Sequence, residues 1–342
     1  MTDRRHIGAH MPRVIFSVIT LVSAAIATNA VAQSRNQNWQ HCAGNSADLR
    51  IAACTAIIQS KQEVPENLAI AFNDRGNAYE ASHQYDAAIK DYDEAIKLKP
   101  TFAEVFYNRG NAYYLERKYE RAINDYDEAI KLKPDYVTAL NNRGVAYHDE
   151  GHYDRAIQDY DRVIRLQPGF AEAFNNRGLA YEAKGEHNHA IQDYDQAIRL
   201  NPSFALVFDD RGVAYRHKGQ FDRAIRDFDR AIEIKPDYGF AFYNRGLAYE
   251  DMGDYDRAIQ DYNQVIRLEP NYANAFYNRG NTYSLKGEYD RAIQDYDQAI
   301  KLKPDYAVAF YRRGIAERAQ GNAAAGANDI ATAKRLDPKV GK

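Results

Sequence analysis

A unit of 34 residues recurs eight times in this chain without an insertion or a deletion. An Arg-Gly dipeptide marks it, with glycines at Gly76, Gly110, Gly144, Gly178, Gly212, Gly246, Gly280 and Gly314. Prolines keep the same period from Pro100 to Pro338. No single unit this small can bury its apolar face alone, so a fixed period in this range dictates a stacked array in which each unit packs on its neighbours.

Within a unit, with the glycine taken as position 8, apolar residues fall at helical spacing. Phe106, Gly110 and Tyr113 start one stripe, and Tyr119, Ala122, Ile123, Tyr126, Ala129, Ile130 and Leu132 form a second. Position 15 is glycine in six units, from Gly151 to Gly321, which predicts a left-handed residue ending the first helix. His83 and Arg117 stand there in the other two units, where strain is expected. The proline at position 32 stops the second helix. Residues after the prolines (Thr101, Asp135, Ser203, Asp237, Asn271, Asp305) are expected to cap the next helix, with Thr101 and Glu104 as a capping box. Glycine at 8 and alanine at 20 allow close helix approach beside aromatics at 4, 11 and 24. The 27 tyrosines therefore read mostly as packing residues.

A bulky residue at 4, Gly at 8, Tyr at 11, Ala at 20, an aromatic at 24, Ala at 27 and Pro at 32 resemble the tetratricopeptide repeat. The resemblance covers 69–340, with repeats starting at 69, 103, 137, 171, 205, 239, 273 and 307. It implies an all-α fold, a right-handed α-solenoid of eight helix-turn-helix repeats, with first helices lining a concave groove. The expected organisation is a signal peptide over 1–32, an N-terminal cap over 33–68 and the solenoid over 69–342. The eighth unit loses the pattern at Glu317, Gly326, Ile330 and Lys334, as a solvent-facing terminal unit should.

Arginine fills position 7 and aspartate position 23 in all eight units, which suggests helix-to-helix ion pairs such as Arg109–Asp125, Arg143–Asp159 and Arg177–Asp193. An anion-binding arginine ladder is the rival reading, weakened because the aspartates would neutralise it.

Arg4, Arg5 and Arg13 precede an apolar run from Val14 to Ala32 that ends Ala30-Val31-Ala32, the pattern of a secretory signal cleaved after Ala32. An uncleaved membrane anchor is the alternative. Export to a periplasm or the exterior is expected, and with it a disulfide between Cys42 and Cys54, the only two cysteines. The formal net charge is −3, and the leader carries more positive than negative charge, so nothing in the remainder attracts nucleic acid.

No phosphate-binding glycine loop, zinc-protease motif or nucleophile elbow occurs, so no catalytic residue, cofactor or metal site is expected. His187 and His189 share one inter-helix turn, and His148 and His152 flank another, but neither pair has an evident third ligand. The expected working surface is the groove. Position 6 presents Asp74, Asn108, Asn142, Asn176, Asp210, Asn244, Asn278 and Arg312, and position 5 adds Tyr107, Tyr243, Tyr277 and Tyr311. An amide offers a donor and an acceptor, the complement of a peptide backbone, and related superhelices bind peptides this way. The asparagines could equally hydrogen-bond neighbouring repeats. The lysines of the family's carboxylate clamp are missing from positions 2 and 5. The reading is a non-enzymatic scaffold for a protein segment. Its rivals are a self-assembling solenoid and an envelope glycan binder.

Overall fold

The computed structural model describes residues 33–341; the signal segment 1–32 and its cleavage site lie outside the described residues. Every regular element among the described residues is an α-helix. The described residues fall into two compact units, the first ending at Glu150 and the second beginning at Gly151.

The first unit opens with α1 (33–42 within the described residues) and α2 (Ala47–Ser60). Repeats follow as α3 (Pro65–Ala81) with α4 (Tyr85–Leu98) and α5 (Ala103–Leu115) with α6 (Tyr119–Leu132), then α7 (Val137–Asp149). The second unit begins with α8 (Tyr153–Leu166). Its repeats are α9 (Ala171–Ala183) with α10 (His187–Leu200), α11 (Ala205–His217) with α12 (Phe221–Ile234), and α13 (Gly239–Asp251) with α14 (Tyr255–Leu268). The last two are α15 (Ala273–Leu285) with α16 (Tyr289–Leu302), and α17 (Ala307–Ala319) with α18 (Ala323–Leu336). Within each unit, from α2 to α7 and from α8 to α18, every helix packs on its neighbours in sequence, the arrangement of a helical repeat solenoid. First helices also touch the next first helix, as α3 on α5 or α11 on α13. Second helices have no comparable contact among the described residues. The first-helix side is thus the more crowded side of each repeat.

Close packing at position 8 explains the recurring glycine. A Cβ on Gly76 would lie 2.5 Å from the Tyr92 ring, and one on Gly212 equally close to Phe228. Those aromatics at position 24 are fully buried, at the centre of each helix pair with Ala88, Ala224 and their equivalents. At position 15, Gly185 has φ of 76°, while His83 and Arg117 are held at 57° and 59° with side chains. That conformation costs a residue with a Cβ roughly 1–2 kcal/mol.

The helix starts differ from the sequence expectation. First helices begin two residues later than the proposed caps, and the residue at their N-cap is aromatic: Phe102, Tyr136 and Phe204 bear no capping hydrogen bond. Thr101 instead lies in a turn in which the Phe102 amide donates to the Lys99 carbonyl (3.1 Å). The same bond links Tyr136 to Lys133 and Tyr238 to Lys235. Proline and the polar residue after it are therefore the two central residues of a β-turn, where their preferred backbone angles are wanted. The following aromatic is needed for packing, and the Thr101–Glu104 capping box does not form.

In the cap, Cys42 and Cys54 are disulfide-bonded and fully buried, with Cα atoms 4.9 Å apart. Glu63 gathers this end: Arg35 donates to it twice (2.6 and 2.8 Å), Trp39 Nε1 at 3.2 Å and Asn67 Nδ2 at 2.9 Å. Those donors, Arg35 foremost, pull its carboxyl down to about 2.

Candidate functional site

The recurring arginine at position 7 is an inter-repeat clamp. Arg109 donates from Nε and Nη2 to Asp125 of its own repeat (2.8 and 2.6 Å), and from Nη1 to Asp93 of the preceding one (2.5 Å). Arg177 does the same with Asp193 and Asp161, and Arg211 with Asp227 and Asp195. The two aspartates bracket each arginine at a separation of 16 residues either way. Arg75 uses Thr55 of the cap as the second partner, and Arg279 uses Asn263. Guanidinium groups also lie over the position-4 ring, as Arg109 over Phe106 at 5.7 Å. Arg143 reaches Asp127 at 2.5 Å. Burial works against the Arg109 charge, but its two aspartates outweigh that and hold its pKa above the usual arginine value. Sequence reasoning finds the aspartate at 23 and misses the one at 25, although the Asp-aromatic-Asp triplet recurs with the repeat. These arginines are occupied, so they form no anion ladder.

The position-6 asparagines are largely committed to the stack. Asn108 Nδ2 donates to Asn73 (2.9 Å), Asn142 Nδ2 to Asn111 (3.0 Å) and the Tyr107 hydroxyl (3.2 Å), and Asn278 Nδ2 to the Tyr243 hydroxyl (2.7 Å). Asn244 Nδ2 donates to both oxygens of Asp209 (3.1 Å each). The Oδ1 atoms of Asn244 and Asn278 are without a partner among the described residues. Asn176 is half-buried in the same row, Asp74 is half-buried 3.9 Å from Arg50, and Arg312 is exposed. The position-5 tyrosines are wedged between rings. Tyr107 sits 5.2 Å from Tyr136, Tyr243 5.5 Å from Tyr272 and Tyr277 5.2 Å from Tyr306, while Tyr311 lies against the backbone of Gly341.

One place breaks the repeat symmetry. Elsewhere the buried tyrosine at position 24 finds a polar partner: Tyr92 donates to Asn77 (2.7 Å), Tyr126 to Asn111 (2.8 Å), Tyr262 to Glu250 (3.1 Å) and Tyr296 to Asn281 (2.9 Å). The fifth repeat has Phe228, which needs none. In the fourth repeat position 9 is Leu179, and Tyr194 Oη is buried without a partner. Beside it Asn175 Oδ1 and Asp210 Oδ2 are likewise buried and unpaired. Asp209 and Asp210 are adjacent carboxylates with no cation opposing them among the described residues. Burial, helped for Asp210 by the neighbouring Asp209 charge, pushes Asp209 up to about 6 and Asp210 up to about 7. Within the unit Gly151–Lys342 this is an acceptor-rich cluster in which the amides of Asn244 and Asn175 reach the carboxylates but no cation does among the described residues.

The histidines also group differently from the sequence expectation. His189 Nδ1 pairs with Glu186 (3.0 Å), whereas His187 turns to Glu182 (2.9 Å) and meets His217 of the next repeat on the same carboxylate (2.5 Å).

Two models of the repeat family match the chain. One, described as TPR repeat, matches 76–116, 110–151, 146–185 and 212–253. The other, described as Tetratricopeptide repeat, matches 171–204, 240–272 and 273–306. Among solved structures, a tetratricopeptide repeat protein from Parabacteroides merdae is 22% identical with a TM-score of 0.61, over 72% of this chain and 98% of that one. A chain from the APC/C hetero-tetramer Cut9–Hcn1 is 14% identical with a TM-score of 0.56, over 85% and 57%. Pseudomonas aeruginosa pilF is 19% identical with a TM-score of 0.53, over 59% and 92%. No curated protein matches the chain. With its helix pairs, its repeat period and these matches, the chain belongs to the tetratricopeptide repeat family, whose fold is generally a non-catalytic scaffold for protein–protein interaction.

Proposed function

We propose that this protein is an exported, non-catalytic scaffold that binds an extended protein segment along its first helices and anchors a basic side chain of that segment at Asp209 and Asp210. The observation that carries the reading is the set of buried, unpaired atoms Asn175 Oδ1, Tyr194 Oη and Asp210 Oδ2, together with Asp209 and Asp210 charges that no cation opposes among the described residues. A lysine or arginine supplies the positive charge that this set lacks and further donors for its unpaired oxygens, and a buried acid without such a partner is costly. The free carbonyl oxygens of Asn244 and Asn278 lie in the same row of first helices and suit backbone N–H groups. Most of the other position-6 amides hold repeats together, so the ligand is read less by an asparagine ladder than by this one anchor. The leader over 1–32 and the Cys42–Cys54 bridge support export to an oxidising compartment. Among the described residues no helix is long and apolar enough to cross a membrane.

The test is a selection of displayed random peptides on the full chain and on an Asp209→Asn/Asp210→Asn variant. Enrichment of segments with a central lysine or arginine on the first, lost on the second, is the expected result. Enrichment without a basic residue, or equal enrichment on both chains, refutes the anchor. Mass that rises with concentration and no peptide enrichment at all would replace the reading with self-assembly.

A further inference from the structure

We infer that Glu182, His187 and His217 form a binding site for a divalent transition-metal ion of the zinc type, which clips the fourth repeat to the fifth. Glu182 stands in the last turn of α9, His187 opens α10, and His217 is the last residue of α11. One ligand atom from each lies within 4.8 Å of the others. The Glu182 carboxylate is hydrogen-bonded by Nδ1 of His187 at 2.9 Å and of His217 at 2.5 Å, and the two rings are 5.5 Å apart. Ligand atoms around a tetrahedral zinc ion stand about 3.3 Å apart, given bonds of roughly 2.0–2.1 Å. Small side-chain rotations therefore bring two imidazole nitrogens and one carboxylate oxygen to a common centre, with water in the fourth position.

Three features set this cluster apart from an ordinary acid–histidine contact. First, position 17 of the repeat carries an aromatic residue at Tyr85, Tyr119, Tyr153, Phe221, Tyr255 and Tyr289, and His187 takes that place in the fourth repeat. Second, the contact from position 12 to position 13 of the next repeat is a plain pair elsewhere, Tyr114 with Asp149 and Arg216 with Asp251. Here a third ligand joins it. Third, α9 and α11 both end at this point, so two negative helix ends stand against the one positive end of α10, a net field that favours a cation. Two imidazoles and one carboxylate make a mixed nitrogen–oxygen donor set, which suits zinc, nickel or copper and not magnesium or calcium. Its three ligands are distinct from Asp209 and Asp210, although the Glu182 charge lies close enough to help hold the Asp210 carboxyl protonated.

The experiment is calorimetric titration of ZnCl2 into the full chain, prepared without a histidine tag, at pH 7.5, beside His187→Tyr, His217→Ala and His189→Ala. His187→Tyr restores the aromatic residue that six other repeats carry there, so its helix content is expected to be unchanged. The wild type and His189→Ala are expected to bind one ion per chain. His187→Tyr and His217→Ala are expected to bind at least about 100-fold more weakly. In thermal melts, zinc should raise the midpoint of the wild type and His189→Ala only, and EDTA should reverse the rise. No saturable binding by the wild type, equal binding by His187→Tyr, or loss of binding in His189→Ala would each overturn the assignment.

Discussion

Replacing Asp209 and Asp210 by asparagine should stabilise the protein in alkali and leave it unchanged in acid. Repeats three and four already carry asparagine at both places, as Asn141-Asn142 and Asn175-Asn176, so the amides fit this backbone. In the native chain the two carboxyls titrate near 6 and 7 instead of 3.8. A folded-state pKa above the unfolded one means that the folded chain holds more protons between about pH 4 and pH 7. Stability is then fully present below the unfolded value and is lost as pH rises through the folded value. Each pKa unit is worth about 1.4 kcal/mol, so keeping Asp209 charged above pH 7 costs roughly 3 kcal/mol, with a further cost for Asp210 beside it. The double variant carries no such charge and escapes this cost. Urea unfolding followed by far-ultraviolet circular dichroism at pH 8.0 and pH 4.0 measures it. All other titrating groups are common to both proteins, so the difference between their pH profiles isolates the pair. A gain of at least about 3 kcal/mol at pH 8.0 that vanishes at pH 4.0 is expected. Equal midpoints at pH 8.0, or a gain that persists at pH 4.0, would refute the buried, unpaired state of these acids. The more stable variant is also the one expected to lose its basic peptide ligands, the trade-off of a site kept strained for function.

Three further outcomes follow from the packing. Tyr194→Phe removes a buried hydroxyl that has no partner and should stabilise by about 1 kcal/mol. Tyr92→Phe strands Asn77 and Glu80 and should destabilise by about as much, both read as urea midpoints. Replacing His83 or Arg117 by glycine relieves a left-handed backbone and should raise stability by roughly 1 kcal/mol each; a fall would show that their side-chain contacts outweigh the strain. Arg177→Leu leaves Asp193 and Asp161 without their cation and should cost about 3–5 kcal/mol. In a double-mutant cycle with Asp193→Leu, the double change should cost less than the sum of the two single ones. Strict additivity would show that the pair does not couple.

Contacts within one repeat were legible in the sequence because helical periodicity encodes them locally. The glycine at 8 pressed on the aromatic at 24, the left-handed residue at 15 and the stop at the proline of position 32 all follow from spacing and backbone chemistry. The Arg-to-Asp pair at 7 and 23 is read the same way. The cap aspartates were misread because proline and its follower have two roles open to them, turn and cap, and only packing of the next aromatic decides between these.

What the tertiary structure alone decided are the contacts between repeats. Asn108 with Asn73, Asn244 with Asp209, Arg216 with Asp251 and His217 with Glu182 are each 35 residues apart, one repeat plus one residue. That offset comes from how far each helix pair is rotated on the last. It depends on the volumes of many side chains at once, so no local pattern announces it. A repeat written eight times over fixes how a unit folds on itself. Which single residues then stand out, as Asp209, Asp210 and His187 do, becomes visible only when neighbouring units are stacked and their leftover donors and acceptors are counted.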